Sequence, residues 1–96
     1  MPYRLLYHPG VLTRDLPLLD QKLRGRIVRA IEQRLHIEPT HYGEPLRYRL
    51  KGYWKLRVGD YRLVYTLREQ VVVIVAIRHR KHVYTLLPQR LVWRPN

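Results

Sequence analysis

Lys55, Arg57 and Arg62 are the residues whose types and spacing point most directly to chemistry, and that chemistry is the gripping of a polyanion. They lie in Tyr53-Trp-Lys-Leu-Arg-Val-Gly-Asp-Tyr-Arg-Leu-Val-Tyr65. Gly59-Asp60 is a two-residue turn signal between runs rich in aromatic and branched residues, so the stretch predicts a tight β-hairpin. Closing it there pairs Val58 with Tyr61, Leu56 with Leu63 and Trp54 with Tyr65. The opposite face then carries Arg57 across from Arg62, with Lys55 two residues away on the same side. Like charges directly opposite each other destabilise a sheet. A core needs the first face, and folding gains nothing from the second. The plain alternative is a solvated sheet face, but such faces ordinarily mix signs.

A second basic cluster, Arg78-His-Arg-Lys-His-Val-Tyr84, leaves the end of the apolar run Val71-Val-Val-Ile-Val-Ala-Ile77. Loops at strand ends commonly carry functional groups, although the cluster also serves as a soluble cap on an apolar strand. Antiparallel pairing of Tyr61–Leu67 with Val71–Ile77 puts Ile77 near Tyr61 and Arg62. Arg78 and Arg80 then emerge beside the open end of the cationic face, making one pocket.

Other chemistries find little support. Cys and Ser are both absent, which excludes the usual nucleophile triads, disulfides and thiolate metal sites. His79 and His82 are three apart without a third ligand nearby, so no metal and no cofactor are expected. His8, His36 and His41 read as surface or loop residues. The seven carboxylates are scattered, and no pair suggests glycosidase or two-metal chemistry. Trp54, Tyr61 and Tyr65 belong to the core, while Tyr53 and Tyr84 are better placed to stack on a base.

These groups must be held by a small scaffold. The 96 residues predict one domain over 1–96, and 46% hydrophobic content is enough for a packed core. Against that stand 19 Lys and Arg and 7 Asp and Glu, a net charge of +12. Such an excess costs self-repulsion and favours anionic partners, nucleic acid before an acidic protein, and either before a membrane. No run of about 18 apolar residues occurs, and the first residues lack a signal peptide's pattern, so the chain is expected in the cytoplasm.

Along the chain, Tyr3–Tyr7 predicts a short strand. Pro9 opens a first helix carrying Val11, Leu12 and Leu16, interrupted at Pro17. Asp20 caps a longer helix in which Leu19, Leu23, Ile27, Ala30, Ile31 and Leu35 share one face, with Pro39 marking its end. Residues 41–45 read as loop. Strands follow over Arg49–Val58, Tyr61–Leu67 and Val71–Ile77, the last apolar on both sides and so internal. A short helical piece ends near Leu87, and Pro88 and Pro95 predict a draped or poorly ordered tail. The order is strand, two helices and an antiparallel meander, an α+β domain.

The two words Arg-Val-Gly-Asp-Tyr-Arg and His-Arg-x-x-Val-Tyr, within Leu50–Tyr65 and Ile77–Tyr84, resemble the RelE/ParE superfamily of bacterial toxin–antitoxin toxins. The likeness runs over nearly the whole length and is greatest to RelE. It implies a β-α-α-β-β-β fold, with an antiparallel sheet packed on two N-terminal helices and a short C-terminal helix. For RelE-like members it implies metal-free cleavage of messenger RNA in the ribosomal A site, by attack of the 2′-hydroxyl on the adjacent phosphate. ParE-like members instead inhibit DNA gyrase, and a nucleic-acid-binding protein without catalysis is the third reading.

Carried over residue by residue, the second lysine of the RelE active strand matches Lys55. The arginine after the Gly/Asp-Tyr word matches Arg62, the arginine of the strand exit matches Arg80, and the late tyrosine matches Tyr84. RelE's first active-strand lysine falls on Tyr53, and its arginine-to-tyrosine spacing is longer, so Arg78 is an alternative to Arg80. Tyr53, Lys51, Arg57, Arg78 and Lys81 are then expected to contact RNA. The chemistry agrees, because RNA supplies its own nucleophile. What remains is to deprotonate a hydroxyl, stabilise a phosphorane and protonate a leaving oxygen. Arg62 and Arg80 suit the phosphorane through their planar forks, Lys55 between arginines suits the base, and Tyr84 stacks or relays a proton. The implied partners are an acidic RelB-like antitoxin in a hetero-oligomer, messenger RNA and the ribosome. Arg24, Arg26, Arg29 and Arg34 of the second helix would face ribosomal RNA.

Overall fold

The computed structural model describes residues 2–93. Five strands form one sheet in the order β1-β5-β4-β3-β2: β1 Arg4–Tyr7, β2 Glu44–Pro45, β3 Tyr53–Val58, β4 Tyr61–Arg68 and β5 Val71–His79. The hairpin closes in the expected register, with Val58 opposite Tyr61, Leu56 opposite Leu63 and Trp54 opposite Tyr65. Gly59 adopts φ 61°, the left-handed conformation that the tight turn needs. The sheet is not wholly antiparallel. β1 runs parallel to β5, with Leu5 beside Val72 and Tyr7 beside Ile74, because the helices between them carry the chain back across the sheet.

Both faces of the sheet are covered, which explains the two-sided apolar run of β5. On one face lie α1 (Gln21–Ala30) and the π-helical turns Val11–Asp15 and Ile31–Leu35. The Asp20 carboxylate accepts from the Leu23 N–H at 2.8 Å, the expected N-cap. Ile27, Ile31 and Leu35 pack on Leu56, Leu63, Tyr65 and Ile77. On the other face α3 (Val83–Arg90) sets Val83 and Leu87 against Val64, Val73, Val75 and Ala76. Pro88 lies inside α3 rather than ending it, since Leu87 and Arg90 are buried on either side and hold the helix through it. Pro95 lies outside the described residues.

Several boundaries differ from expectation. β3 begins at Tyr53, because Tyr48–Leu50 forms a 3₁₀ turn and Gly52 has φ 95°. The segment read as loop from residue 41 holds the end of a short helix, α2 (Pro39–Tyr42), and strand β2, which pairs Glu44 with Lys55 and Pro45 with Trp54. His36 is not a simple surface residue, since its Nδ1 is buried.

α2 is tied to the core by the Tyr65 hydroxyl, which donates to the Pro39 carbonyl at 2.7 Å. Burial pushes that phenol's pKa well up, so it stays a donor. A Cβ on Gly43 would collide with the Tyr65 hydroxyl. Gly43→Ala is therefore expected to cost about 1–3 kcal/mol through overpacking, read as a lower denaturation midpoint.

Candidate nucleic-acid interface

Strand alternation places Tyr53, Lys55 and Arg57 on the face opposite α1, and pairing brings Arg62 and Val64 of β4 beside them. A bulge in β5 completes the row. Tyr65 pairs with Ile74 but Val64 pairs with Ala76, so Val75 is an extra residue. Val75 and Ala76 both turn to the α3 face, and every later side chain changes face. Ile77 therefore lies opposite Leu63 in the core rather than by Tyr61 and Arg62. Arg78 comes opposite Arg62, and three arginines (57, 62 and 78) line up across β3, β4 and β5.

Each member of that row is held differently. Arg57 is exposed. Arg62 is 8% exposed, and its Nη1 donates to the carbonyls of Gly59 and Tyr61, both at 3.0 Å. Its guanidinium is thus fixed against the hairpin turn before any ligand arrives. Arg78 donates through Nε to the Asp15 carboxylate at 2.7 Å. Arg80 leaves the strand at the hairpin tip, with its backbone N–H on the Asp60 carbonyl at 2.8 Å. The contact between the Arg80 Nε and the Asp60 carboxylate is 3.9 Å long, with both side chains more than half exposed, and restrains little.

Lys55, half-buried, and Arg62 thus share one face, and Arg80 stands at its tip. Tyr84 is exposed in the first turn of α3, four residues after Arg80, with Lys81 exposed between them. Tyr53 lies on the same face but packs against the apolar cluster under α3. Lys51 precedes β3 at the end remote from the tip, separated from it by Gly52 at φ 95°.

Sequence reasoning missed the residues that brace this face. Asp15 is buried and accepts four hydrogen bonds. Arg90 donates to both its oxygens at 2.9 Å, the Ile77 N–H donates at 2.8 Å, and Arg78 supplies the fourth. Burial alone would raise this carboxyl's pKa, but the bonds from Arg90, Ile77 and Arg78 outweigh it and hold it below the usual range. The same Arg90 donates to the Val75 carbonyl at 2.9 Å. Asp15 and Arg90 therefore satisfy the backbone of β5 beyond Tyr7, where β1 stops. A Cβ on Gly10 would lie 2.6 Å from the Arg90 guanidinium, so a larger residue there would have to displace that side chain. The spacing of Val11 and Asp15, four apart and both buried, is the single sequence hint of an inward carboxylate.

A second basic surface lies at the edge of β3. Arg26, Arg29 and Arg34 of the helical segment meet Arg57 and Gly59 around a cleft of about 190 Å³, with no carboxylate in its lining. His79 packs edge-on to Tyr61 at 5.5 Å and lies 6.1 Å from His82. Among the described residues no group of three His, Cys, Asp or Glu could hold a metal ion.

The fold, a mostly antiparallel five-stranded sheet with helices and a C-terminal helix, is that of RelE toxins. A family model described as the ParE toxin of the type II toxin–antitoxin system parDE matches residues 10–84. Toxin RelG of Mycobacterium tuberculosis is 34% identical over 86 residues, 88% of this chain and 98% of its own. Toxin RelE of the same organism is 34% identical over 89 residues, covering 88% and 92%. In the toxin–antitoxin complex RelBE2 from M. tuberculosis, one chain superposes with a TM-score of 0.77 at 33% identity, covering 83% of this chain and all of its own. An Escherichia coli RelE variant in the free state shares the fold at 19% identity, with a TM-score of 0.66 over 96% of each chain. The chain belongs to the RelE/ParE superfamily of toxins from type II toxin–antitoxin systems.

Proposed function

We propose that this toxin is a ribosome-dependent endoribonuclease of the RelE kind, cleaving messenger RNA in the A site without a metal. The observation that carries the reading is Lys55 and Arg62 on one sheet face with Arg80 at its tip. Lys55 takes the 2′-hydroxyl proton, the 2′-oxygen attacks phosphorus, and a 2′,3′-cyclic phosphate forms as the 5′-oxygen leaves. Arg62, already oriented by two carbonyls, and Arg80 hold the phosphorane oxygens. Arg80 fits this part better than Arg78, whose Nε is committed to Asp15. Tyr84 stacks on a base or returns the proton. Arg57 and Lys81 contact phosphates, since arginine keeps its proton and Lys81 is exposed.

The basic helix and its cleft serve an anionic surface, either ribosomal RNA or an acidic antitoxin that silences the toxin in a hetero-oligomer. The toxin–antitoxin complex RelBE2, one chain of which this toxin resembles, supports an antitoxin partner. Residues 1–96 act as one domain in the cytoplasm. No helix among the described residues is long and apolar enough to cross a membrane.

The test is cleavage on programmed ribosomes. Cuts inside A-site codons are expected, and Arg80→Ala should remove them while leaving the protein folded. The match to the ParE model favours gyrase inhibition as the second reading. Intact messenger RNA together with arrested DNA supercoiling would establish it.

A further inference from the structure

The hydrogen-bond partners of Asp15 include neither Arg80 nor Tyr84. Yet its two ionic partners flank them in sequence. Arg78 comes two residues before Arg80, and Arg90 comes six after Tyr84. We propose that Asp15 is a positioning residue for the RNA site, setting Arg80 and Tyr84 by clamping the strand exit and the far end of α3 to one buried carboxylate. The consequence for cleavage rests on the nuclease reading, whereas the clamp itself rests on side-chain geometry alone.

α3 has eight residues, too few to hold a helix by backbone bonding alone, and Pro88 removes one internal donor. Its first turn follows directly from the strand exit through residues 80–82. Its last turn is held by the bidentate Arg90–Asp15 pair and by the bond from Arg90 to Val75. With one end set by the chain, the other end decides the direction of the helix axis, and so where the Tyr84 ring points. Arg78 closes the frame, because its Nε bond to the same Asp15 oxygen fixes the strand just before Arg80 turns out. Bidentate geometry gives the clamp direction as well as strength.

The experiment is a double-mutant cycle. Asp15→Asn keeps the shape and one carbonyl oxygen for the Ile77 N–H while removing the charge from both arginines. Single-turnover cleavage on programmed ribosomes is measured for the wild type, Asp15→Asn, Tyr84→Ala and the double variant, each checked for cooperative unfolding. Asp15→Asn is expected to slow cleavage about 10- to 100-fold, with the half-saturating toxin concentration unchanged, as for a misplaced catalytic group. In the Tyr84→Ala background the same change should have a smaller effect, the remainder being the part carried through Arg80. Losses that multiply independently, or a changed half-saturation with an unchanged rate, would overturn the proposal. If Asp15→Asn does not fold, Arg90→Lys takes its place, keeping the charge but losing the fork. Should the wild type not cleave at all, the nuclease reading fails but the clamp is still tested. Ring resonances of Tyr84 in the ribosome-free protein must then move on Asp15→Asn while those of Tyr65 stay, and unmoved Tyr84 signals would refute it.

Discussion

Replacing Asp15 by alanine will destabilise the fold by about 3–5 kcal/mol, the cost of leaving a buried charge without its partner. Two arginines lose their counter-ion, and the Ile77 N–H loses its acceptor at a place where β1 no longer reaches. For contrast, Asp20→Ala removes an exposed helix cap and should cost about 0.5–2 kcal/mol. Urea denaturation of both variants separates the two values. The acid limb of stability carries the same signature. The Asp15 carboxyl is held below its ordinary range in the folded chain, so the unfolded chain binds the proton more readily. Its stabilisation is complete above the unfolded value, about 3.9, and is lost as pH falls through the lower folded value. Wild-type stability should therefore fall on acidification below about pH 4, and Asp15→Asn should flatten that part of the curve.

The second large effect is expected in the chemistry. Lys55→Ala should lower the single-turnover cleavage rate about 10²- to 10⁴-fold, the range for losing a general base. Stability should scarcely change, because Lys55 is only half-buried at a strand position whose backbone pairing with Glu44 and Val64 is retained. Arg62→Lys separates charge from geometry, since lysine keeps the positive charge but not the planar fork fixed by the Gly59 and Tyr61 carbonyls. A loss of about 10²- to 10³-fold there would match removal of one stabilising donor from the phosphorane. A quantitative rescue by lysine would show that charge alone is used.

What could be read from the sequence follows physical lines. The hairpin register came directly from Gly59-Asp60 and the alternation around it, so the sharing of one face by Lys55, Arg57 and Arg62 was legible. The Asp20 cap and the buried stripe of α1 were equally plain, being local signals. The bulge at Val75 was not, because it sits in a run of apolar residues in which either face would accept each side chain. That single extra residue moved Ile77 into the core and brought Arg78 into line with Arg62. Parallel pairing of β1 with β5 and the two-residue β2 also lacked any local mark. The Asp15–Arg90 pair spans 75 positions, and Arg90 follows a proline that suggested an end to order. Contacts made by distant single charges leave no periodic trace, and here they decide which arginine faces outward.

The most direct measurement is the chemistry of the RNA ends left by the purified toxin on ribosomes programmed with a defined message. Cuts are expected within the A-site codon, with upstream fragments ending in a 2′,3′-cyclic phosphate, and none with Lys55→Ala. Fragments ending in a 3′-hydroxyl, or an uncut message from a toxin that still arrests growth, would contradict the nuclease reading.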